Sequence, residues 1–320
     1  MATLGQIYNL KSFDDAKAFF KGTASTNDAS SGGLILSKNL EYVSSEVFEQ
    51  RIAGLNFLTG TGVTVNNEGG YADFITKLKV RPEGEFKIAG QNANGNGKIT
   101  IGAESDAMKV FFKDANSEWS EIELQKASLQ NINLVSRYLS AHDTKYKEEI
   151  DKIGFLGESG ISTGLLNFGG FTATAAAKTF ANSTSLEMYN VLKDMVNAQR
   201  SSVFNDIMFS CDKVALHQDT YNIINGTPFD IGTATGMTVR QYAEATLGVT
   251  FVITNKALIS TVKRMVAYSS NRMAMQMRIP VPLQISNTDQ RGFKYYIESM
   301  FGIGGLDVIE NASGYIVTGV

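Results

Sequence analysis

EFKIAGQNANGNGKITI, residues 85–101, sets a Gly/Asn-rich run between two short alternating segments. A phosphate-cradling loop of the form G-x-x-x-x-G-K-[ST] would end on Gly97-Lys98, but its first glycine position holds Asn92 and its hydroxyl position holds Ile99. The flanks are more informative. Phe86 and Ile88 alternate with Glu85 and Lys87, and Ile99 and Ile101 alternate with Lys98 and Thr100. Period-two alternation marks strands with one face seeking burial. Asn92, Asn94, Gly95 and Gly97 supply the positive φ angles that a hairpin tip requires. Further out, Phe74, Leu78 and Val80 share one face opposite Lys77, Lys79 and Arg81, Pro82-Glu83-Gly84 reads as a turn, and Met108, Val110 and Phe112 alternate with Lys109 and Lys113. Residues 62–115 are therefore expected to form an extended ribbon. A narrow ribbon is marginal in water by itself, so Phe86, Ile88, Ile99 and Ile101 call for a cover, either the rest of the chain or another copy of it.

Beyond the ribbon, Ser117–Ile153 reads as one helical stretch, with Trp119, Ile122, Leu129, Ile132, Leu139, Tyr146 and Ile150 spaced by three, four or seven. Asn116 or Ser117 is placed to cap it, and Glu118, Glu121 and Glu123 suit the positive end of a helix dipole. A helix of about 35 residues is roughly 50 Å long, which makes it a strut, a coiled coil or two shorter helices. Trp119, Ile122, Leu129, Ile132 and Leu139 are its expected core stripe. Thr184-x-x-Glu187 is a capping box opening a second helix, with Leu186, Tyr189, Leu192, Val196 and Val203 on one stripe. Lys213–Leu216 and Thr250–Thr254 read as core strands with a short helix, Met237–Leu247, between them, an α/β unit. From Arg264 onward the chain is strand-rich. Residues 1–61 contain an amphipathic piece (Phe13, Ala16, Phe19, Phe20) and a polar stretch at 23–33, which fits an arm or a peripheral helix with a loop.

The 320 residues carry a net charge of −3 and 43% hydrophobic residues, a globular balance that argues against a strongly basic nucleic-acid binder. One cysteine, Cys211, excludes an intrachain disulfide and is expected to be an inert buried thiol. No secretion signal is legible in the opening residues, and no apolar run approaches a membrane span. The two histidines, His142 and His217, belong to no metal or catalytic spacing, and no nucleophile elbow accompanies them. Arg264, Arg272 and Arg278 fall close together, either as a contact for a phosphate or a neighbouring subunit or as ordinary surface charges. No catalytic, cofactor or metal constellation stands out.

Taken with GLLN (164–167) and the ending MVAYSSNRMAMQMRIPVPLQ (265–284) and RGFKYYIESMFGIGGLDVIENASGYIVTGV (291–320), this order of parts resembles the major capsid proteins of tailed bacteriophages, with the Hong Kong 97 capsid fold. The resemblance implies an α+β chain divided into an N-terminal arm (1–61), an extended β-hairpin or E-loop (62–115), a peripheral domain (116–184) with a spine helix (116–153), an axial domain (185–262) and closing strands of both domains (263–320). It implies a structural protein without cofactor that self-assembles into hexamers and pentamers of an icosahedral shell around double-stranded DNA, held without sequence-specific contact. Portal and scaffolding proteins, the latter a separate chain, and possible decoration proteins would be its partners, with no membrane involved. Phe86, Ile88, Asn92, Asn94, Gly95, Gly97, Ile99 and Ile101 would then lie over an adjacent subunit. An encapsulin-type nanocompartment shell resembles the same fold. The rival from another class is an α/β enzyme with a dispersed active site. Size in solution separates the two classes, since a shell protein forms particles or capsomers and an enzyme a monomer or small oligomer.

Overall fold

The computed structural model describes residues 55–88, 97–129, 132–202, 209–229 and 236–320. The arm therefore lies outside the described residues except from residue 55 onward. In chain order, β1 (Thr64–Asn66), β2 (Phe74–Gly84), β3 (Ile99–Lys109) and β4 (Phe111–Ser120) precede helices α1 (Glu121–Leu129) and α2 (Leu134–Leu156). Then come β5 (Gly157–Glu158), β6 (Ser162–Thr163), β7 (Thr172–Ala175), α3 (Ser185–Ser202), β8 (Lys213–Leu216), α4 (Gln218–Gly226), α5 (Val239–Leu247), β9 (Thr250–Ile253), β10 (Leu258–Ile259) and β11 (Val262–Tyr268). The chain closes with β12 (Met275–Arg278), β13 (Val281–Ile285), β14 (Asp289–Arg291), β15 (Lys294–Ile303), β16 (Gly305–Val308) and β17 (Gly314–Thr318).

One core surrounds the sheet β7-β17-β11-β8-β9, whose β8 and β9 run parallel. The Thr184–Glu187 capping box forms as the sequence indicates: Glu187 N–H donates to Thr184 Oγ1 (3.3 Å) and Thr184 N–H to Glu187 Oε2 (2.8 Å). The Lys178 ammonium and the Thr184 amide hold the Glu187 carboxyl down at about 2. From that start α3 turns Met188, Leu192, Met195 and Val196 onto the sheet, whereas Leu186 is exposed. α5 has its own capping box, Thr238 with Gln241, and ends at Gly248, whose φ of 65° suits a residue without Cβ.

A second core joins α2 to the sheet β1-β12-β16 through Ile150, Ile153, Phe155, Met275, Met277 and Ile303. The GLLN segment serves this core. Leu165 and Leu166 are fully buried, and Asn167 ties the loop by accepting from Gly164 N–H (2.8 Å) and donating to the Leu156 carbonyl (2.6 Å).

The helix expected over 116–153 is corrected. Residues up to Ser120 are strand, paired antiparallel with β15 from Phe111↔Ile303 to Ser120↔Lys294. Helix begins at Glu121, capped by Ser120 rather than by Asn116 or Ser117, with Glu123 N–H donating to Ser120 Oγ (3.2 Å) and Ser120 N–H to Glu123 Oε2 (2.8 Å). It is described to Leu129, residues 132–133 are not helical, and helix restarts at Leu134, where Asn133 caps α2 by accepting from Ser136 N–H (3.1 Å). Of the three readings of that stretch, two shorter helices is the observed one. The longer of the two is α2, of 23 residues and about 35 Å.

On α2, Asp151 is buried at 1% exposure; its Oδ1 accepts from Phe57 N–H (3.0 Å), while Oδ2 has no partner among the described residues. Burial raises its carboxyl above the ordinary 3.8, against the opposing pull of the Phe57 amide and Lys256. The folded state thus binds the proton more tightly than the unfolded chain does, and stability falls as pH rises above 3.8 through the folded value. Asp151→Asn is expected to flatten this dependence: its melting midpoint should exceed that of the parent at about pH 7 and converge on it near pH 4. Calorimetry at both pH values checks this, and a constant difference between the two proteins would contradict it.

Candidate assembly interface

β2 and β3 form a two-stranded antiparallel ribbon paired from Phe74↔Lys109 to Gly84↔Ile99, with no third strand among the described residues. The register sorts its side chains. Phe74, Leu78 and Val80 share a face with Ile101 and Ile99; Ile75, Lys77 and Lys79 share the other with Met108, Asp106 and Glu104. Pro82, expected in a turn, lies within β2, a position open to proline because β2 has one partner strand among the described residues. The turn-type signal was real in composition but outweighed by the pairing with Ile101.

The ribbon's orientation reverses the usual arrangement. Its charged face turns toward the subunit: Ile75, Lys77, Lys79 and Met108 are half-buried. Its apolar face turns away, and Phe74, Leu78, Val80, Ile99 and Ile101 are each more than half exposed. Further along, Phe86 (92%) and Ile88 (103%) are uncovered. Gly97 lies beside Glu85 and Lys87, so the two arms are still adjacent there. Asn92, Asn94 and Gly95 lie outside the described residues.

The stripe expected on the spine is not brought together. Trp119 is buried, but from β4; it stacks between Tyr138 of α2 (centroids 4.7 Å apart) and Tyr295 of β15 (6.0 Å). Ile122, Leu129 and Leu139 are exposed and Ile132 is half-buried. The helix period that linked them crosses a strand–helix junction and the break before Asn133, so it never describes one continuous surface. The buried face of α2 is instead His142, Ile150, Asp151, Ile153, Gly154 and Phe155.

Other candidate groups are structural. His142 sits between Ser117 Oγ (2.9 Å from Nε2) and Ser299 Oγ (2.7 Å from Nδ1). Hydroxyls occupy both ring nitrogens, and no carboxylate orients the imidazole as a general base would require. His217 caps α4, its Nδ1 accepting from Asp219 N–H (3.2 Å). Cys211 is buried, and burial pushes its thiol up to about 12. Of the three arginines, Arg278 is buried against Asp307, Arg264 donates to the Leu166 carbonyl, and Arg272 stays exposed near Glu68. Among the described residues no cluster of ligating side chains fits a metal, and no helix is long and apolar enough to cross a membrane.

A family model described as major capsid protein matches residues 84–320. The chain belongs to the major capsid protein family. Similar solved structures agree with this: the capsid of Myoviridae phage XM1 is 47% identical, with a TM-score of 0.80 over 90% of this chain and 100% of that one. A chain from Mycobacterium phage Che8 shares 14% identity, with a TM-score of 0.62 over 89% of this chain and 97% of that one. A virus-like particle from Pyrococcus furiosus shares 8%, with a TM-score of 0.50 over 80% and 90%. The last two show the fold alone. No curated protein matches. The fold of this capsid protein is thus the α+β Hong Kong 97 type, and its place is the phage head.

Proposed function

We propose that the chain builds the icosahedral head shell by self-association into hexamers and pentamers, enclosing double-stranded DNA. The observation that carries this is the ribbon whose apolar face points away from its own subunit. In this reading the ribbon 74–109 is the E-loop, narrower than the 62–115 expected from sequence because residues 111–115 pair with β15. Phe86, Ile88, Gly97, Ile99 and Ile101 lie on an adjacent subunit, with Asn92, Asn94 and Gly95 at the tip. The arm precedes it, the six-stranded sheet with α3–α5 is the axial domain, and α2 with β4, β13 and β15 the peripheral one. The chain works without catalysis or cofactor. A net charge of −3 suits a shell that holds DNA by closure, since a strongly basic lining would grip it non-specifically. Portal and scaffolding proteins are its partners in assembly, and decoration proteins have its outer face available. The greater identity to a phage capsid than to the virus-like particle favours the phage head over a nanocompartment. Expression of the full chain, with and without a scaffolding partner, followed by electron microscopy and sedimentation velocity, tests the reading: closed hollow particles or capsomers are expected, and a monodisperse monomer under all conditions would overturn it.

A further inference from the structure

We propose that Asp307 is a positioning residue for assembly: it sets the angle at which the ribbon leaves the subunit by binding Lys77 of the ribbon and Arg278 of the body through separate oxygens. The inference rests on the reading of the ribbon as a cover for an adjacent subunit.

Asp307 lies on β16 and is 2% exposed. Its Oδ2 accepts from Arg278 Nε (3.2 Å), a buried contact within the body, and Arg278 also lies 3.7 Å from Glu68 Oε2. Lys77 nevertheless reaches across from the ribbon to Oδ1, although the exposed Asp106 on the ribbon's own second strand is 3.2 Å away. A lysine on a freely swinging ribbon would keep its ammonium in water; here its side chain is 15% exposed. Lys79, next on the same face, donates to the Ile309 carbonyl. Lys77 to 307 and Lys79 to 309 keep one constant offset, 230 residues in both cases, so the underside of β2 runs in step with β16. Two cations in step fix both translation and direction. The seat is shaped for closeness: a Cβ on Gly304 would stand 3.0 Å from Met108 Sδ on the ribbon's underside.

Leverage gives this root contact its importance. From Lys77 to the end of β2 is about 23 Å at ~3.3 Å per residue, so a swing of roughly 10° displaces that end by about 4 Å. A misaimed apolar face would miss the side chains that should bury it. Charge pairs set orientation and register more than they add affinity, which is the task required here.

The test uses the full chain with Lys77→Gln and Lys77→Arg. Nitroxide labels on Ser105→Cys, on the ribbon's outer face, and Ser201→Cys, at the exposed end of α3, report the ribbon's direction in unassembled subunits; the buried Cys211 does not compete for label. Shell yield is measured on unlabelled chains. A narrow distance distribution is expected for the parent, a severalfold broader one for Lys77→Gln with roughly tenfold fewer shells, and recovery of both with Lys77→Arg. A Lys77→Gln distribution as narrow as the parent's overturns the proposal, and so does a broadened one with undiminished shell yield. A chain lacking the ribbon's outer half separates the two levels: if it still closes shells, the intersubunit reading itself fails, whereas if it does not while Lys77→Gln assembles normally, only the role of Asp307 fails.

Discussion

Replacing residues 81–102 by a two-residue Asn-Gly turn is expected to leave a folded subunit that no longer closes shells. The cut falls at the directly opposed pair Val80↔Ala103, so the remaining strands keep their register. Lys77, Lys79 and Met108, which seat the ribbon on the body, are all retained. What is removed includes Phe86, Ile88, Ile99 and Ile101, all exposed and therefore contributing nothing to either core. In the proposed shell a neighbour would bury them, and at 1.5–3 kcal/mol for each large apolar side chain their loss would forfeit on the order of 6–12 kcal/mol per subunit as an upper bound. Circular dichroism should show unchanged helix content, and sedimentation velocity should show the loss of particles. Normal particles would refute the intersubunit role. A subunit that fails to fold would place the ribbon in its own core.

Trp119→Ala is expected to destabilise the subunit by roughly 3–5 kcal/mol, the range for truncating a large buried aromatic, with a fall in melting midpoint on the order of 10 °C. Trp119 is 2% exposed and lies nearly coplanar with Tyr138 on α2 and Tyr295 on β15, at interplanar angles of 9° and 15°. It therefore ties the β4–β15 pair to the spine, and its truncation opens a cavity where strand and helix meet. Trp119→Phe should recover most of the loss, because the indole N–H has no acceptor among the described residues and its removal leaves nothing unpaired. Thermal melts of both variants check this. An unchanged midpoint in Trp119→Ala would mean that the stack carries no stability.

Local signals were legible wherever neighbours in the chain settle the structure. Alternation at Phe74–Val80 and from Lys98 to Ile101 marked a ribbon, since a period of two needs only successive residues, whereas 85–88, read the same way, lie beyond the end of β2. The Thr184–Glu187 box marked the start of α3 because both partners lie within one turn. The structural role came from the order of parts and its resemblance to capsid proteins, which the family match bears out. The misplaced spine start has the opposite cause. The alternation read up to Lys113 does not continue through 114–120, where Glu118 suits a helix start; that segment is strand because β15, far along the chain, supplies a partner for every residue. Trp119 was correctly singled out as core but on the wrong element, and Ile122, Leu129 and Leu139 kept helical spacing without a shared surface.

The sequence by itself determined that a ribbon exists, that Phe74, Leu78 and Val80 share one of its faces as Ile99 and Ile101 do, and where α3 begins. Only the tertiary structure decided which way that face points. Direction depends on where β16 lies, and Asp307 and the Ile309 carbonyl, meeting Lys77 and Lys79 from more than two hundred residues away, draw the charged side inward. The charged side is satisfied within the subunit by Asp307 and the Ile309 carbonyl, charge-assisted contacts that outweigh what the apolar side would gain there, and in the proposed shell a neighbour covers that apolar side.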